Sequence, residues 1–357
     1  MKKIGKRVGI QEIARLANVS IGTVDRALHG RGRISESTRK RILGIAQRVG
    51  YRPNLAARAL SVGQAAIRIG VCIPRELHYY FDQLRDGILA EARRFESLGV
   101  EILYHPTERL GVREVERVSE AMNDGIRALI ITPGDPQRLT PSINHAEKKD
   151  IRVICVDTDA PASCRSSVVC MNVEVGGKLA AELMSKFVSP GSHVAVITGI
   201  LQVEAHRKKA ESFCGSYSQF CTGGKVLEVV EAHDDEAEAF QKCSTLLKRY
   251  ESLAGLYVST GNCLPVCRAI DARGLSGKIR VITTDIFREM IPFFERGTIF
   301  ASIDGRPFLQ GQIAIRMAVD HIVHGSPLPS SHYLAPQIIM RSTLPFFNEV
   351  VEETSGH

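Results

Sequence analysis

From Ile67 onward, short apolar runs alternate with segments of amphipathic helical periodicity. The ten runs are IRIGVCI, VEILYH, ALIIT, VICVD, VVCMN, HVAVIT, VLEVV, LYVST, VITTD and FASID. Nearly continuous apolar runs of this length are typical of parallel strands buried on both faces. The alternation therefore predicts an α/β domain of parallel sheets joined by right-handed crossovers. About 290 residues exceed what one hydrophobic core usually organises, so we expect two lobes.

Ahead of this region, residues 10–50 show the periodicity of three short helices. Apolar residues in the first recur at intervals of three and four, and Asn18 is expected to turn the chain. Ser20 and Ser35 are suited to cap the second and third helices, and Gly50 is suited to end the third. The positions predicted to face inward are Ile10, Ile13, Ala14, Ala17, Val24, Ala27, Leu28, Ile42, Ile45, Ala46 and Val49.

Basic charge is concentrated in this helical head. Residues 1–66 contain 14 lysines and arginines against three acidic residues, whereas the net charge of the whole chain is +7. A segregated basic surface is expected of a domain that replaces counterions on a phosphate backbone. The alternative is a plain three-helix core without a DNA role, since amphipathic helices at this spacing are common. The charge distribution favours a helix-turn-helix head that binds double-stranded DNA.

Three motifs give the chain a family resemblance. IQEIARLANVS followed by IGTVDRAL resembles the first two helices of the lactose-repressor (LacI/GalR) family of bacterial transcription regulators. SESTRKRILGIAQRVGYRPN resembles the third helix of that family, and AARAL resembles its hinge helix. Because the family's effector domain is built like the type I periplasmic sugar-binding proteins, the resemblance implies a small all-α head joined by a hinge helix to a two-lobed α/β domain.

The resemblance also implies domain boundaries. We expect the helix-turn-helix domain at 1–52, the hinge helix and linker at 53–66, the effector-binding and dimerisation domain at 67–345, and a flexible tail at 346–357. Within the effector domain, the N-lobe is expected at about 67–157 and 306–327, and the C-lobe at about 158–305 and 328–345, with crossings near Asp157, Gly305 and Pro327.

By this resemblance, the second helix enters the major groove of the operator. The candidate DNA-contacting residues on it are Ser20, Ile21, Gly22, Thr23, Asp25 and Arg26. Arg26 would reach base edges together with the two residues at the start of the helix, and it can donate twice to guanine O6 and N7, with a phosphate contact as the alternative. Thr23 would hold a phosphate, and Ser20 is divided between capping and phosphate contact. Asp25 departs from the family, which usually has serine there; it either pins Arg26 or accepts a hydrogen bond from cytosine N4.

The segment from Asn54 to Leu60 is implied to be the hinge helix. It is too short to be stable alone in water, so it should order only beside its twin in the minor groove. Leu60 aligns with the residue that wedges between base steps and kinks the duplex, with an interdomain core leucine as the alternative. Ala57 permits close approach, and Arg58 can contact a phosphate. The distance between two effector domains would thus control affinity for a near-palindromic operator, as expected of a homodimer.

Candidate effector-binding residues follow the apolar runs, because ligands of parallel sheets bind beyond the carboxyl ends of the strands. They are Tyr80, Phe81, Asp135, Asp157, Arg165, His206, Arg207, Asn262 and Asp285. The resemblance implies that the aromatic pair stacks on a sugar ring. Carboxylates, a carboxamide and arginines beside an aromatic face suit a polyhydroxylated ligand such as a sugar, a sugar acid or a cyclitol. Gly305 stands where the family usually has glutamine, so one expected contact is missing.

Several of these residues have a structural alternative. Asp157 could serve the hinge between the lobes, and Arg165 could be a surface arginine. His206 could be a structural histidine, and Asn262 could cap a helix. Tyr80 and its neighbour could pack against the next helix.

Other protein classes lack support in the sequence. We find no GxSxG elbow, no Walker loop and no HExxH, so an enzyme is not predicted. The basic first residues lack the apolar core of a signal peptide, and no apolar run approaches the length that spans a bilayer, so neither a freestanding solute-binding protein nor a membrane partner is expected. We predict a repressor acting on the nucleoid in the bacterial cytoplasm. The alternative is a corepressor-dependent regulator or an activator with a non-sugar effector.

The nine cysteines include no CxxC pair. Cys72, Cys155 and Cys170 lie in apolar runs and are interpreted as small buried hydrophobic residues. Cys263 and Cys267 could in principle bind a metal with His206, but no metal and no cofactor is predicted. The C-terminal tail lacks leucine heptads, so a dimer is expected rather than a tetramer.

Overall fold

The computed structural model describes residues 10–29, 34–49 and 66–347. The predicted hinge residues Asn54, Ala57, Arg58 and Leu60 lie outside these ranges, so their assigned roles stay predictions.

The head contains the three predicted helices: α1 Ile10–Ala17, α2 Ile21–His29 and α3 Glu36–Arg48. Asn18 takes the left-handed conformation at φ 48°, which asparagine tolerates better than most residues, and this reverses the chain between α1 and α2. Ser35 Oγ accepts a hydrogen bond from the Thr38 amide at 3.3 Å, as its N-cap position predicts. The fully buried residues of this core are Ile13, Ala14, Ala17, Val24, Ala27, Ile42, Ile45 and Ala46.

Two six-stranded sheets follow. The first contains β1 Ile67–Cys72, β2 Val100–Tyr104, β3 Ala128–Ile131, β4 Arg152–Val156, β5 Ser167–Met171 and β11 His332–Leu334. Its strands lie in the order β11-β5-β4-β3-β1-β2, and every neighbouring pair is parallel. The central strands β3 and β5 are buried along their whole length, which explains their unbroken apolar sequences.

The second sheet contains β6 Val194–Thr198, β7 Val226–Glu231, β8 Gly255–Val258, β9 Arg280–Thr284, β10 Ile299–Asp304 and β12 Gln337–Ile339. Its order is β12-β10-β9-β8-β6-β7, with only the β10–β12 pair antiparallel among the described strands. The two sheets are the cores of two lobes, as predicted.

The helices between the strands are α4 His78–Arg93, α5 Glu114–Asn123, α6 Pro136–Lys148, α7 Val173–Phe187, α8 Glu204–Phe220, α9 Glu236–Arg249, α10 Leu264–Ala272, α11 Ile291–Glu295 and α12 Pro307–His324. α4 and α12 approach each other closely at Gly87 and Gly311. A Cβ atom on Gly87 would lie 1.9 Å from the Phe308 carbonyl oxygen, and one on Gly311 would lie 2.4 Å from the Leu84 oxygen. Only glycine fits at this helix crossing, which anchors α12 to the first lobe.

The chain leaves the first lobe later than predicted. β5 pairs with β4 in the first sheet, so the crossing lies at Asn172 and not near Asp157. The sequence prediction was wrong here because a buried strand has the same apolar pattern in either lobe. The return crossing lies between Asp304, which ends β10, and Pro307, which begins α12, and coincides with the predicted position at Gly305.

The last crossing also differs from the prediction. β11 pairs with β5 in the first sheet and β12 pairs with β10 in the second, so the chain crosses at residues 335–336 and not near Pro327. Both strands have three residues, too few for a periodicity to be recognised, and the sequence analysis missed them.

The predicted tail begins too early, because Phe347 packs against the main apolar core while residues 348–357 lie outside the described part of the chain. Cys72, Cys155 and Cys170 are buried, as expected of small apolar residues. In the described ranges, no helix has the length and apolarity needed to cross a membrane. The same ranges contain no cluster of three or more His, Cys, Asp or Glu suited to a metal ion.

Candidate functional site

The first half of α2 presents an exposed edge on the head. Ile21 is 49% exposed, and Gly22 and Arg26 are exposed beside it. Ser20 Oγ accepts a hydrogen bond from the Thr23 amide at 3.2 Å and lies 2.9 Å from the Thr23 hydroxyl, so Ser20 caps α2. The Arg26 guanidinium donates to the Thr23 hydroxyl at 3.3 Å. Ser20 and Thr23 thus fix the start of the helix. Asp25, directly before Arg26, is half-buried.

A second candidate site is a small, nearly closed cavity between the lobes. Its lining residues are Leu77, Tyr80, Phe81, Leu110, Asp157, His206, Lys209, Asp234, Thr260, Gly261 and Asp285. Five of the nine predicted effector-binding residues lie on this wall, at strand ends and in the first turns of helices, namely Tyr80, Phe81, Asp157, His206 and Asp285. Because the strands of both sheets end here, the cavity lies where parallel α/β folds bind ligands.

Asn262 lies next to the lining residue Gly261 and is buried. Its Oδ1 atom accepts from the Tyr79 hydroxyl at 3.5 Å, and its Nδ2 atom has no hydrogen-bond partner. An unpaired buried amide is costly, so a group that accepts its hydrogens would be bound favourably. The structure gives Asn262 no role as a capping side chain for α10, which has Cys263 at its N-cap.

The other three predicted residues lie outside the cavity. Asp135 caps α6 by accepting from the Arg138 amide at 3.1 Å. Arg165 pairs with Asp159 and donates to the Ser330 carbonyl oxygen. Arg207 pairs with Glu204 and Glu211 on the exposed face of α8. Each of these side chains forms a hydrogen bond or an ion pair with a residue three to six positions away along the chain. The position of a residue after a strand does not by itself reveal such a partner.

The sequence analysis missed Lys209, Asp234 and Thr260. Lys209 lies one turn after His206 on α8, so helical spacing could have placed it on the same face. Asp234 follows β7 and Thr260 follows β8, the same strand-end positions that identified the predicted residues. Thr260 Oγ1 donates to Asp234 Oδ1 at 2.5 Å.

All three aspartates of the cavity are held in the left-handed conformation, with φ 67° at Asp157, φ 54° at Asp234 and φ 62° at Asp285. The Tyr80 hydroxyl donates to Asp157 Oδ1 at 2.5 Å, and the Asp157 amide donates to Gln310 Oε1 at 3.0 Å. Asp285 Oδ1 accepts from the Gly305 amide at 2.9 Å. Strained backbone of this kind persists only where neighbours hold it, and it clusters at functional sites. The backbone of Gly305 therefore supports the site where the family's glutamine is missing.

Burial changes the acid–base behaviour of the cavity. It raises the pKa of Asp285 to about 7 and that of Asp234 to about 6, with the nearby Lys209 ammonium acting in the opposite direction. Burial and Lys209 lower the pKa of His206 to about 3. His206 Nδ1 accepts from the Ile200 amide at 3.0 Å, so the ring is neutral with its hydrogen on Nε2. Although His206 Nδ1 lies 3.8 Å from Asp234 Oδ2, a neutral ring forms no ion pair there.

Contacts between the lobes lie directly behind the cavity. The Tyr79 ring stacks on Phe287 with centroids 4.4 Å apart, and Gln83 Nε2 donates to the Ile286 carbonyl oxygen at 2.8 Å. We call Tyr79, Gln83, Ile286 and Phe287 the interlobe latch. It connects the first turns of α4 in one lobe with the segment after β9 in the other, next to Asp285.

A larger groove of about 470 Å³ runs along β7 and α9. It is an open surface whose charged residues form ion pairs, such as the Arg249–Glu228 pair at 2.9 Å. The interlobe cavity, with its unpaired buried polar atoms, is the better ligand site.

The fold and the cavity together define a class: a two-lobed ligand-binding protein that carries a helix-turn-helix head. Comparison with known proteins supports both parts of this description. The model of the periplasmic binding protein domain matches residues 69–326, and the model of the lacI family of bacterial regulatory proteins matches residues 9–54.

Similar proteins include regulators and a sugar-binding protein. Catabolite control protein A of Priestia megaterium is 25% identical over 276 residues, which cover 75% of this chain and 79% of the relative. The probable HTH-type transcriptional repressor ExuR of Bacillus subtilis is 26% identical over 276 residues, covering 75% and 78%. The structure of GanP, a glucose-galactose binding protein from Geobacillus stearothermophilus, matches with a TM-score of 0.71 and 26% identity over 79% of this chain and 99% of that one.

The chain belongs to the lacI family of bacterial regulatory proteins, with a periplasmic binding protein domain following its helix-turn-helix domain. It is a DNA-binding transcription regulator, and this family is regulatory and not enzymatic. The family and the fold class predicted from the sequence are confirmed.

Proposed function

We propose that the protein is a homodimeric repressor that binds a near-palindromic operator on the nucleoid and is controlled by a polyhydroxylated effector in the interlobe cavity. The observation that carries the proposal is the wall of three carboxylates that follow strands, two of them buried (Asp234 and Asp285), next to the interlobe latch. Sugar hydroxyls both donate and accept hydrogen bonds, so they match carboxylates beside an amide and a neutral imidazole. The similarity to a glucose-galactose binding protein supports the same ligand class.

The DNA side of the proposal depends on the exposed edge of α2. An exposed Arg26 next to Ile21 and Gly22 is suited to reach base edges in the major groove, while the Ser20 and Thr23 hydroxyls are suited to hold phosphate. The basic excess of residues 1–66 supplies the sequence-independent attraction.

The latch supports a coupling mechanism. A ligand changes DNA affinity only by the difference between its affinities for two arrangements of the lobes. Asn262 contacts the latch residue Tyr79 through Oδ1 and has an unpaired Nδ2, so a ligand that fills the cavity would favour the arrangement in which the latch is made. In this mechanism, the changed lobe positions alter the distance between the two hinge segments of the dimer.

The test begins with a thermal-shift screen of sugars, sugar acids and cyclitols, in which a specific ligand raises the unfolding midpoint by mass action. Genomic footprinting with and without the hit then identifies the operator and shows whether the hit releases it. Asp285→Ala should abolish the response to the hit while operator binding persists. Asp150→Ala is the matched control, because Asp150 has the same left-handed φ of 62° but lies at the end of α6.

Two results would contradict the proposal. One is a genome without any protected sequence in either condition. The other is an Asp285→Ala variant that responds to the effector as the Asp150→Ala control does.

A further inference from the structure

The charged residues of the cavity are strongly unbalanced. Three carboxylates, those of Asp157, Asp234 and Asp285, face one ammonium group, that of Lys209. His206 adds no positive charge because its ring is neutral at physiological pH. The two arginines that the sequence analysis placed here, Arg165 and Arg207, are paired with carboxylates outside the cavity.

The three aspartates leave hydrogen-bond acceptor capacity open in the cavity. Asp234 is 4% exposed and its Oδ2 atom has no hydrogen-bond partner, while its Oδ1 atom accepts only from Thr260. Asp157 and Asp285 each use one oxygen, Oδ1, for the contacts with Tyr80 and Gly305. An ionised carboxylate has about four acceptor positions and no hydrogen to donate. The wall formed by these aspartates therefore requires a ligand that supplies hydrogens.

An acidic ligand fits this wall poorly. Its carboxylate would bring a further negative charge into a buried site where carboxyl groups outnumber ammonium groups by three to one, and charges interact more strongly there than in water. The carboxylate oxygens of the ligand, which only accept hydrogen bonds, would also face aspartate oxygens that only accept them. Burial already raises the pKa of Asp234 and Asp285 although the Lys209 ammonium opposes the shift, so the site disfavours the ionised form of its own carboxyl groups.

We propose that the effector is a polyol without an acidic group, namely a neutral sugar, a cyclitol or an amino sugar, whose hydroxyl or ammonium hydrogens are donated to Asp157, Asp234 and Asp285. The donors available on the protein for the ligand's oxygens are the Lys209 ammonium, the imidazole N–H of His206 and the amide of Asn262. This inference rests on the proposed function and narrows its ligand class by removing the sugar acids.

The test is calorimetric titration of the full-length protein with matched ligands that share a carbon skeleton. The first set is D-glucose, D-glucosamine and D-glucuronate, the second is D-galactose, D-galactosamine and D-galacturonate, and myo-inositol stands for the cyclitols. We expect a neutral or amino compound to bind, and the acid of the same skeleton to bind at least about 100-fold more weakly. An acid that binds within threefold of its neutral parent, or more tightly, overturns the inference while leaving the proposed function intact. If no polyol of any charge binds, the proposed function itself is wrong.

The variant Asp234→Asn provides a second, independent test of the charge preference. Asparagine has the same shape and tolerates the left-handed φ of 54° at this position, so the fold should survive. Removing one negative charge should lower the ratio of neutral-sugar affinity to acid affinity by about tenfold. It should also weaken binding of the amino sugar more than binding of its neutral parent. Asp150→Asn, a change of the same charge outside the cavity, should leave all three affinities unchanged. An Asp234→Asn variant with the same acid-to-neutral ratio as the Asp150→Asn control would show that the carboxylates do not set the charge preference.

Discussion

At the scale of single residues, the protein places costly groups where a ligand is expected to bind. Asp285 combines a left-handed backbone, a buried carboxylate and a pKa raised to about 7. None of these features stabilises the fold in the absence of a ligand. Their concentration at one position is the behaviour of a binding site that depends on its surroundings for support.

Asp285→Asn should make the stability of the effector domain less dependent on pH. The carboxyl pKa is about 7 in the folded state and about 3.9 in an unfolded chain. The folded state therefore holds the proton more tightly, and the free energy of unfolding falls as pH rises from about 4 to about 7. Asparagine does not titrate and so removes this loss. The free energy of unfolding of the variant should exceed that of the wild type by a few kcal/mol at pH 8, since one pKa unit corresponds to about 1.4 kcal/mol. The difference should shrink towards pH 4.

Urea unfolding at several pH values, without effector, measures this difference. Asp150→Asn serves as the control, because its side chain is 80% exposed. A stability gain for Asp285→Asn that is the same at pH 5 and pH 8 would rule out titration of Asp285 as the cause.

At the scale of secondary-structure elements, α4 has two functions on two faces. Gly87 lets it cross α12 closely and so fixes it within the first lobe. Its first turns carry Tyr79 and Gln83 to the segment after β9 in the second lobe. A rigid element that reaches across the cleft in this way can transmit a lobe movement, because packed helices shift as units.

Gln83→Ala should weaken effector binding by about 2- to 10-fold. The change removes the hydrogen bond from Gln83 Nε2 to the Ile286 oxygen, and a typical hydrogen bond contributes about 0.5–1.5 kcal/mol net. Since the contact joins the lobes, its loss disfavours the arrangement that encloses the ligand.

Calorimetry with the effector from the screen measures the affinity of Gln83→Ala. Gln219→Ala is the control, because Gln219 lies on α8 and donates within its own helix to the Gly215 oxygen. Equal affinities for the two variants would mean that the latch does not contribute to closure.

At the scale of the whole molecule, charge and function are separated along the chain. The basic excess is confined to residues 1–66, and the remaining chain is slightly acidic in balance. The part that attracts DNA is therefore distinct from the part that contains the ligand cavity. Such segregation lets ionic strength act on one function and not on the other.

Operator affinity should fall steeply with salt, with a slope of about −0.9 per neutralised phosphate in a plot of log K against log salt. Effector affinity should change little over the same range if the ligand is uncharged and enclosed. Fluorescence anisotropy with labelled operator and calorimetry with effector measure the two quantities. A flat salt dependence of operator binding would remove the basic head from the DNA interface.

Much of this architecture was predictable because it depends on local periodicity. Each of the ten apolar runs forms a strand, from β1 to β10, and the second and third helices of the head begin where Ser20 and Ser35 predict. Burial on both faces requires apolar residues at every strand position, so such strands are visible without any knowledge of their neighbours.

Membership of one lobe or the other was decided only by tertiary structure. β5 pairs with β4, and the three-residue strands β11 and β12 are formed by pairing with β5 and β10. The same distinction holds at the cavity. Strand-end position predicted Asp157 and Asp285 there, but it also predicted Arg165 and Arg207, whose carboxylate partners hold them outside. The amino-acid sequence thus determined the ten longer strands and the helices of the head, because those features follow from neighbours along the chain. Which side chains share the cavity, and hence its surplus of negative charge, depends on contacts between residues distant in sequence, and only the folded structure specifies them.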